Sequence, residues 1–217
     1  MSMLKIDRIT VKFGELNVLR SLTLEVSRGT MVGLVGGNGA GKTTIMKSLM
    51  GLVPVDSGEI ILDDQKVHLM DTLQRVRLGI GYMPEDRRLI GPLTVEDNLL
   101  LPAWAQGRKH ANLDAVYDLI PEVKALIHQK GTQLSGGQQK LVALARSFAT
   151  ADKLLLLDEP MEGVSLALSS RMAEAIQGLK ERKPDLSILA AESDLTRMRL
   201  LTDNISTVER GEILAQN

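Results

Sequence analysis

The chain has 217 residues, 44% of them hydrophobic and 24% charged, with 26 Lys and Arg against 27 Asp and Glu and a formal net charge of −1. A chain of this size can bury a core without covalent staples, its lack of Cys excludes disulfides and thiolate metal sites, and its balanced charge makes nucleic acid an unexpected partner. No apolar run reaches the roughly 18 residues of a membrane-spanning helix, residues 1–7 lack the apolar stretch of a signal peptide, and a cytoplasmic protein is expected.

Leu4, Ile6, Ile9 and Val11, then Leu22, Leu24 and Val26, follow the alternation of half-buried strands. Met31–Val35 is a continuous apolar run, as in a strand buried on both faces, and it leads directly into a glycine-rich loop. Lys42–Met50 then reads as a helix with Ile45, Met46, Leu49 and Met50 apolar and Gly51 at its C-cap. Strands are predicted over residues 58–62 and 79–83. Helical patterns follow: 95–101 capped by Thr94, 113–120, and 138–149 with Leu141, Leu144, Ala145 and Phe148 on one face. Strand character returns at 154–157 and 186–190, with a helix over 166–180 between them. The expected organisation is one domain in which a helical insert, residues 86–149, divides an α/β core made of 1–85 and 150–217.

The loop after the first buried strand runs Gly36, Gly37, Asn38, Gly39, Ala40, Gly41, Lys42, Thr43, Thr44, and it satisfies the P-loop pattern in the required strand-to-helix context. Glycines let backbone N–H groups wrap phosphate oxygens, and the helix N-terminus adds its positive dipole end. Lys42 is placed to bridge β- and γ-oxygens, and the Thr43 hydroxyl to ligate Mg²⁺. Residues 154–157 are four Leu in succession, followed by Asp158, Glu159 and Pro160. Open α/β sheets put ligand groups at the C-terminal ends of such strands. Asp158 is therefore expected to hold Mg²⁺ through water, and Glu159 to polarise the attacking water.

Leu134, Ser135, Gly136, Gly137 and Gln138 precede an amphipathic helix and offer a hydroxyl and backbone donors at its N-terminus, a second anion site. With these motifs the chain resembles the ATP-binding subunits of ABC transporters: the signature LSGGQ falls at 134–138, Walker A at 36–43 and Walker B at 154–159, so the likeness covers nearly the whole chain. The run GYMPEDRRLIGPLTVEDNLLL at 81–101, with Glu85 where most of the family has Gln, is similar to the version in branched-chain amino-acid importers.

The resemblance implies a P-loop NTPase (RecA-like) core with an antiparallel β subdomain and a helical subdomain carrying the signature. It implies an ATP hydrolase using ATP and Mg²⁺, with Lys42, Glu159, Glu85 and the position of Ser193 in catalysis, and Thr43, Asp158 and Glu85 at the metal. Phe13 matches the aromatic residue that stacks on adenine. Two such subunits, identical or paralogous, pair head to tail so that Ser135 to Gln138 of one close on the nucleotide of the other. Transmembrane permease subunits are the implied partners, and the implied location is peripheral, on the inner face of the cell membrane.

Ser193 follows Glu192 where the family has His or, in the branched-chain group, often Gln, and Met161 stands where Ser is usual. Normal ATP binding with slow turnover is therefore expected. Two other readings stay open: a weakly hydrolysing ATP-dependent switch or binding module, and a soluble non-transport ABC ATPase. His68, His110 and His128 show no metal-ligand spacing and read as surface or loop residues, and Arg87 and Arg88 as solvated. Residues 99–101 with Trp104 either pack a helix or line a groove for a short helix of the membrane subunit. The sequence ends soon after a strand at Ile205–Glu209 and a turn at Arg210 and Gly211, earlier than the family norm, so a further C-terminal segment is expected beyond it.

Overall fold

Two long strands, β1 (Ser2–Phe13) and β2 (Leu16–Ser27), form an antiparallel hairpin in the computed structural model, which describes residues 2–86, 89–108 and 113–216. Arg87, Arg88 and His110 lie outside the described residues. The apolar alternation of both strands contains one spacing of three, Ile6 to Ile9 and Leu19 to Leu22. Each is a bulge with a left-handed residue inside it, Arg8 (φ 49°) and Ser21 (φ 50°). Ile6 pairs with Leu24, Ile9 with Leu22 and Val11 with Leu19, so the second bulge cancels the register slip of the first and these six side chains all stay buried. β4 (Ser57–Leu62) and β5 (Gln65–Lys66) complete a four-stranded sheet in the order β2-β1-β4-β5.

The second sheet contains β3 (Met31–Val35), β6 (Ile80–Met83), β7 (Leu154–Asp158), β8 (Ser187–Glu192), β9 (Ile205–Glu209) and β10 (Glu212–Gln216), ordered β10-β9-β3-β8-β7-β6. All neighbours are parallel except β9 and β10. Its central strands are apolar on both faces because both faces are covered. Leu154 and Leu156 of β7 join the core under the antiparallel sheet with Ile45 and Met46 of α1 (Lys42–Met50), while Leu155 and Leu157 face the helical side.

On that side lie α3 (Val95–Ala105), α4 (Asp114–Leu119), α5 (Pro121–Lys124), α6 (Gly136–Phe148) and α7 (Leu166–Arg182). The caps expected at Thr94 and Gly51 form. α3 continues through Pro102 instead of stopping before it, and α6 begins at Gly136, two residues earlier than the apolar pattern indicated, because Ser135 and Gln138 close a capping box. α2 (Thr72–Arg77) and α8 (Leu195–Arg199) were not expected from apolar periodicity. Each is short, and its signal lies in its cap: Asp71 with Gln74, and Asp194.

The turn between β9 and β10 bears on the phosphate loop. The Gly211 N–H donates to the Ala40 carbonyl at 2.9 Å, and the Gly211 carbonyl accepts from the Arg20 N–H at 3.0 Å. A Cβ at Gly211 would sit 2.0 Å from the Val18 carbonyl oxygen, and the residue holds φ +82°, so this junction of three chain segments requires glycine.

Candidate functional site

A cavity of about 350 Å³ opens at the end of the parallel sheet, lined by Val18, residues 38–44, Glu85, Glu159 and Glu162. The loop joining β3 to α1 forms its floor, because the chain must turn from a buried strand into a helix whose first N–H groups have no intrahelical acceptor. Lys42 is 5% exposed; its Nζ donates to the Gly36 and Gly37 carbonyls at 2.6 and 3.2 Å and pairs with Glu159 Oε1 at 3.1 Å. Asn38, Gly39, Ala40, Gly41, Thr43 and Thr44 share the cavity.

The other wall comes from β7. Asp158, fully buried at the strand end, accepts from the Thr43 hydroxyl at 3.0 Å on Oδ1 and from the Tyr82 hydroxyl at 3.5 Å on Oδ2. Burial pushes its carboxyl up to about 6, opposed by the Thr43 hydrogen bond and reinforced by the charges of Glu85 and Glu159. Thr43 and Asp158 are hard oxygen donors of the kind Mg²⁺ takes one or two of, beside phosphate and water. Glu85, exposed, lines a small adjoining cavity with Thr43 and Asp158, which brings together the three residues expected at the metal.

Glu159 is 5% exposed and holds φ +49°. Its Oε2 accepts from Ser193 twice, from the backbone N–H at 3.0 Å and from Oγ at 3.2 Å, so sequence positions 159 and 193 do meet. Glu192, the residue before Ser193 and the last of β8, is fully buried and accepts from the Met161 N–H at 2.8 Å on Oε1, which ties the segment after β7 to β8. Burial pushes the Glu192 carboxyl well above the usual carboxylate range, against the Met161 hydrogen bond and with the neighbouring Glu159 adding to the rise.

Not every expected residue converges on the cavity. Phe13 lies at the end of β1, 53% accessible, and the residue that its hairpin contributes to the cavity lining is Val18. Ser135, Gly136, Gly137 and Gln138 stand at the α6 N-terminus outside the cavity of their own chain, with the Ser135 Oγ accepting from the Gln138 N–H at 3.3 Å. His68 is half-buried and accepts from the Ile60 N–H at 3.2 Å, and His128 is exposed. Leu99 is core, whereas Trp104 is exposed at 41%. A separate, mostly apolar groove of about 220 Å³ lies between Leu52, Val76, Tyr82, Pro84 and Pro102.

Sequence reading missed Val18, Tyr82, Glu162, Glu192 and Lys140, the last of which donates to the Glu159 carbonyl at 2.7 Å. Only Glu162 had a local signal, its place beside the Walker B run; the rest arrive through strand pairing and helix packing.

Residues 19–162, more than half of the chain, match the ABC transporter family. The chain is 30% identical over 214 residues to the high-affinity branched-chain amino acid transport ATP-binding protein BraG of Pseudomonas aeruginosa, covering 98% of this chain and 91% of that one. It is 33% identical over 202 residues to the lipopolysaccharide export system ATP-binding protein LptB of Escherichia coli strain K12, covering 91% and 83%. Its fold matches the dimeric ATP-binding cassette MJ0796, bound to ADP and Pi in a post-hydrolysis state, with a TM-score of 0.87 and 23% identity over 99% of this chain and 98% of that chain. With its phosphate loop, paired acids and signature helix in place, the chain belongs to the ABC transporter family and is an ABC-type ATPase.

Proposed function

We propose that this ATPase powers a permease importing branched-chain or other amino acids, as one of two ATP-binding subunits on the inner face of the cell membrane. The observation that carries the catalytic reading is the convergence of Lys42, Thr43 and Glu159 on one cavity, with Asp158 bonded to Thr43 in the cavity adjoining it. Likeness to BraG over nearly the full length of both chains supports the solute class.

In this reading the loop amides of residues 38–44 and the Lys42 ammonium bind the triphosphate of ATP. The γ-phosphate competes with Glu159 for Lys42 and so frees the Glu159 carboxylate to accept a proton from the attacking water. Thr43 and Asp158, with Glu85 beside them, hold Mg²⁺; when bound, the ion neutralises charge on the phosphate oxygens. Phe13 stacks on adenine from the hairpin, next to the Val18 wall.

Ser135, Gly136, Gly137 and Gln138 are presented away from their own cavity, which supports their closing on the nucleotide of a second subunit, identical or paralogous. Residues 86–149 act as the helical subdomain of a single domain. The apolar groove at Leu52, Tyr82 and Pro102 is the face offered to the transmembrane permease.

The test is steady-state phosphate release. Glu159→Gln lowers it by about two orders of magnitude while ATP still binds and holds a dimer together; an undiminished rate sinks Glu159 as the base. The membrane protein that copurifies with the chain identifies the solute.

A second reading, an ATP-dependent switch with little turnover, is favoured by one observation: Ser193 has both of its donors engaged on Glu159 and none reaching across the cavity. Phosphate release above background that depends on Glu159 excludes it.

A further inference from the structure

Lys140 lies on α6, five residues beyond the Ser135 cap, and is 2% exposed. Its Nζ donates to the backbone carbonyl of Glu159 at 2.7 Å. Glu159 holds a left-handed backbone, φ +49°, which a residue bearing a Cβ keeps only where its surroundings over-determine it. Three contacts fix the backbone on either side of this residue: the Glu159 N–H donates to the Ala191 carbonyl at 3.0 Å, and the Glu159 carbonyl accepts from the Lys140 ammonium and from the Glu162 N–H at 3.3 Å. The carboxylate of the same residue is fixed separately, by Lys42 and Ser193.

A buried ammonium is costly to desolvate, and an apolar residue would fill a helix–sheet contact without that cost. What the charge adds at Glu159 is a short, directional bond to the peptide that follows it, one of the two whose orientation aims the side chain. The bond also crosses the molecule, from the helix whose N-terminus carries Ser135 and Gly136 to the end of β7. Five residues of α-helix span about 7.5 Å, so Lys140 follows any displacement of that N-terminus as part of one rigid element.

We propose that Lys140 is a positioning residue for hydrolysis, tying the backbone of Glu159 to the signature helix of its own chain. The inference rests on the reading of Glu159 as the base. Since that helix N-terminus is read as closing on the partner's nucleotide, the tether makes the alignment of each base depend on the occupancy of the neighbouring site.

Lys140→Met, linear and apolar, removes the donor with little change of volume. The expected result is a kcat lowered about tenfold or more, with the KM and Kd for ATP held within about threefold, as for a misplaced catalytic group. Lys140→Arg, which keeps a cationic donor, restores most of the rate. Lys140→Gln, neutral and shorter, falls between the two and serves if the Met variant does not fold. Unchanged kcat in the Met or Gln variant, alongside an inactive Glu159→Gln, overturns the tether and leaves the base intact. Full activity of Glu159→Gln overturns the base and the tether with it. A loss shared by kcat, KM and melting temperature that Arg does not rescue marks Lys140 as merely structural and also overturns the proposal.

Discussion

Ser193 places both of its donors on a single oxygen of Glu159, the N–H at 3.0 Å and Oγ at 3.2 Å from Oε2, while the other oxygen faces Lys42 at 3.1 Å. The hydroxyl thus orients the carboxylate, and both donors of the residue are spent on it.

Two substitutions separate these consequences. Ser193→Ala keeps the backbone donor and loses one hydrogen bond, so phosphate release at saturating ATP falls by about fivefold, the equivalent of about 1 kcal/mol. Ser193→His can reach across the cavity, and it raises turnover above wild type. An unchanged rate in both variants removes this position from catalysis.

Gly33 and Gly36 lie three residues apart and respond differently to a methyl group. A Cβ at Gly36 would sit 2.3 Å from the Val208 carbonyl oxygen, which belongs to a strand and cannot retreat; at Gly33 it would meet the sulfur of Met198 at 2.4 Å, the flexible part of an adaptable side chain. Gly33→Ala is expected to cost about 1 kcal/mol in denaturant unfolding. Gly36→Ala is expected to cost about 3 kcal/mol or more and to abolish ATP binding. Equal losses would contradict this account.

Asp63 bridges the two sheets, ion-paired with Lys153 at the start of β7 and with Arg28 just after β2. The Lys153 hydrogen bond first, and then that of Arg28, holds its carboxyl below the usual value of 3.8. A carboxylate lowered on folding contributes stability above its unfolded pKa and loses it as pH falls through its folded pKa. Asp63→Asn should therefore unfold more easily at pH 7, by about 1 kcal/mol. The gap between variant and wild type should close as pH falls from 3.8 through the lowered pKa of folded Asp63, below which both side chains are neutral. A gap that stays constant across an acid titration of stability would show that the pairing is not its source.

The motifs that were legible are those in which the chemistry is local. Residues 36–44 and 154–159 each place their donors by the geometry of one turn, and the Thr43–Asp158 contact at 3.0 Å follows once β3 and β7 end at the same edge of the sheet with β8 between them. Lys140 and Glu192 were invisible for the opposite reason: a lone Lys on a helix and a Glu at the end of an aliphatic strand read as solvated positions, and only packing makes them buried. Phe13, in turn, stands exposed at the end of β1, and its place beside the cavity rests on the family resemblance and not on any contact with the lining. α2 was the avoidable omission, because Asp71 and Gln74 carry a capping box that is plain in the sequence.

The Gly211 junction makes the last strand pair a handle on the phosphate loop. The loop at Ala40 hangs from a turn that contributes nothing to the cavity lining, so strain applied to β9 or β10 reaches the nucleotide site through one backbone bond, from Gly211 to Ala40. A fluorophore on exposed Glu212 would thus register movement of the loop from outside, and a bulky fusion joined tightly there would act as a brake on it.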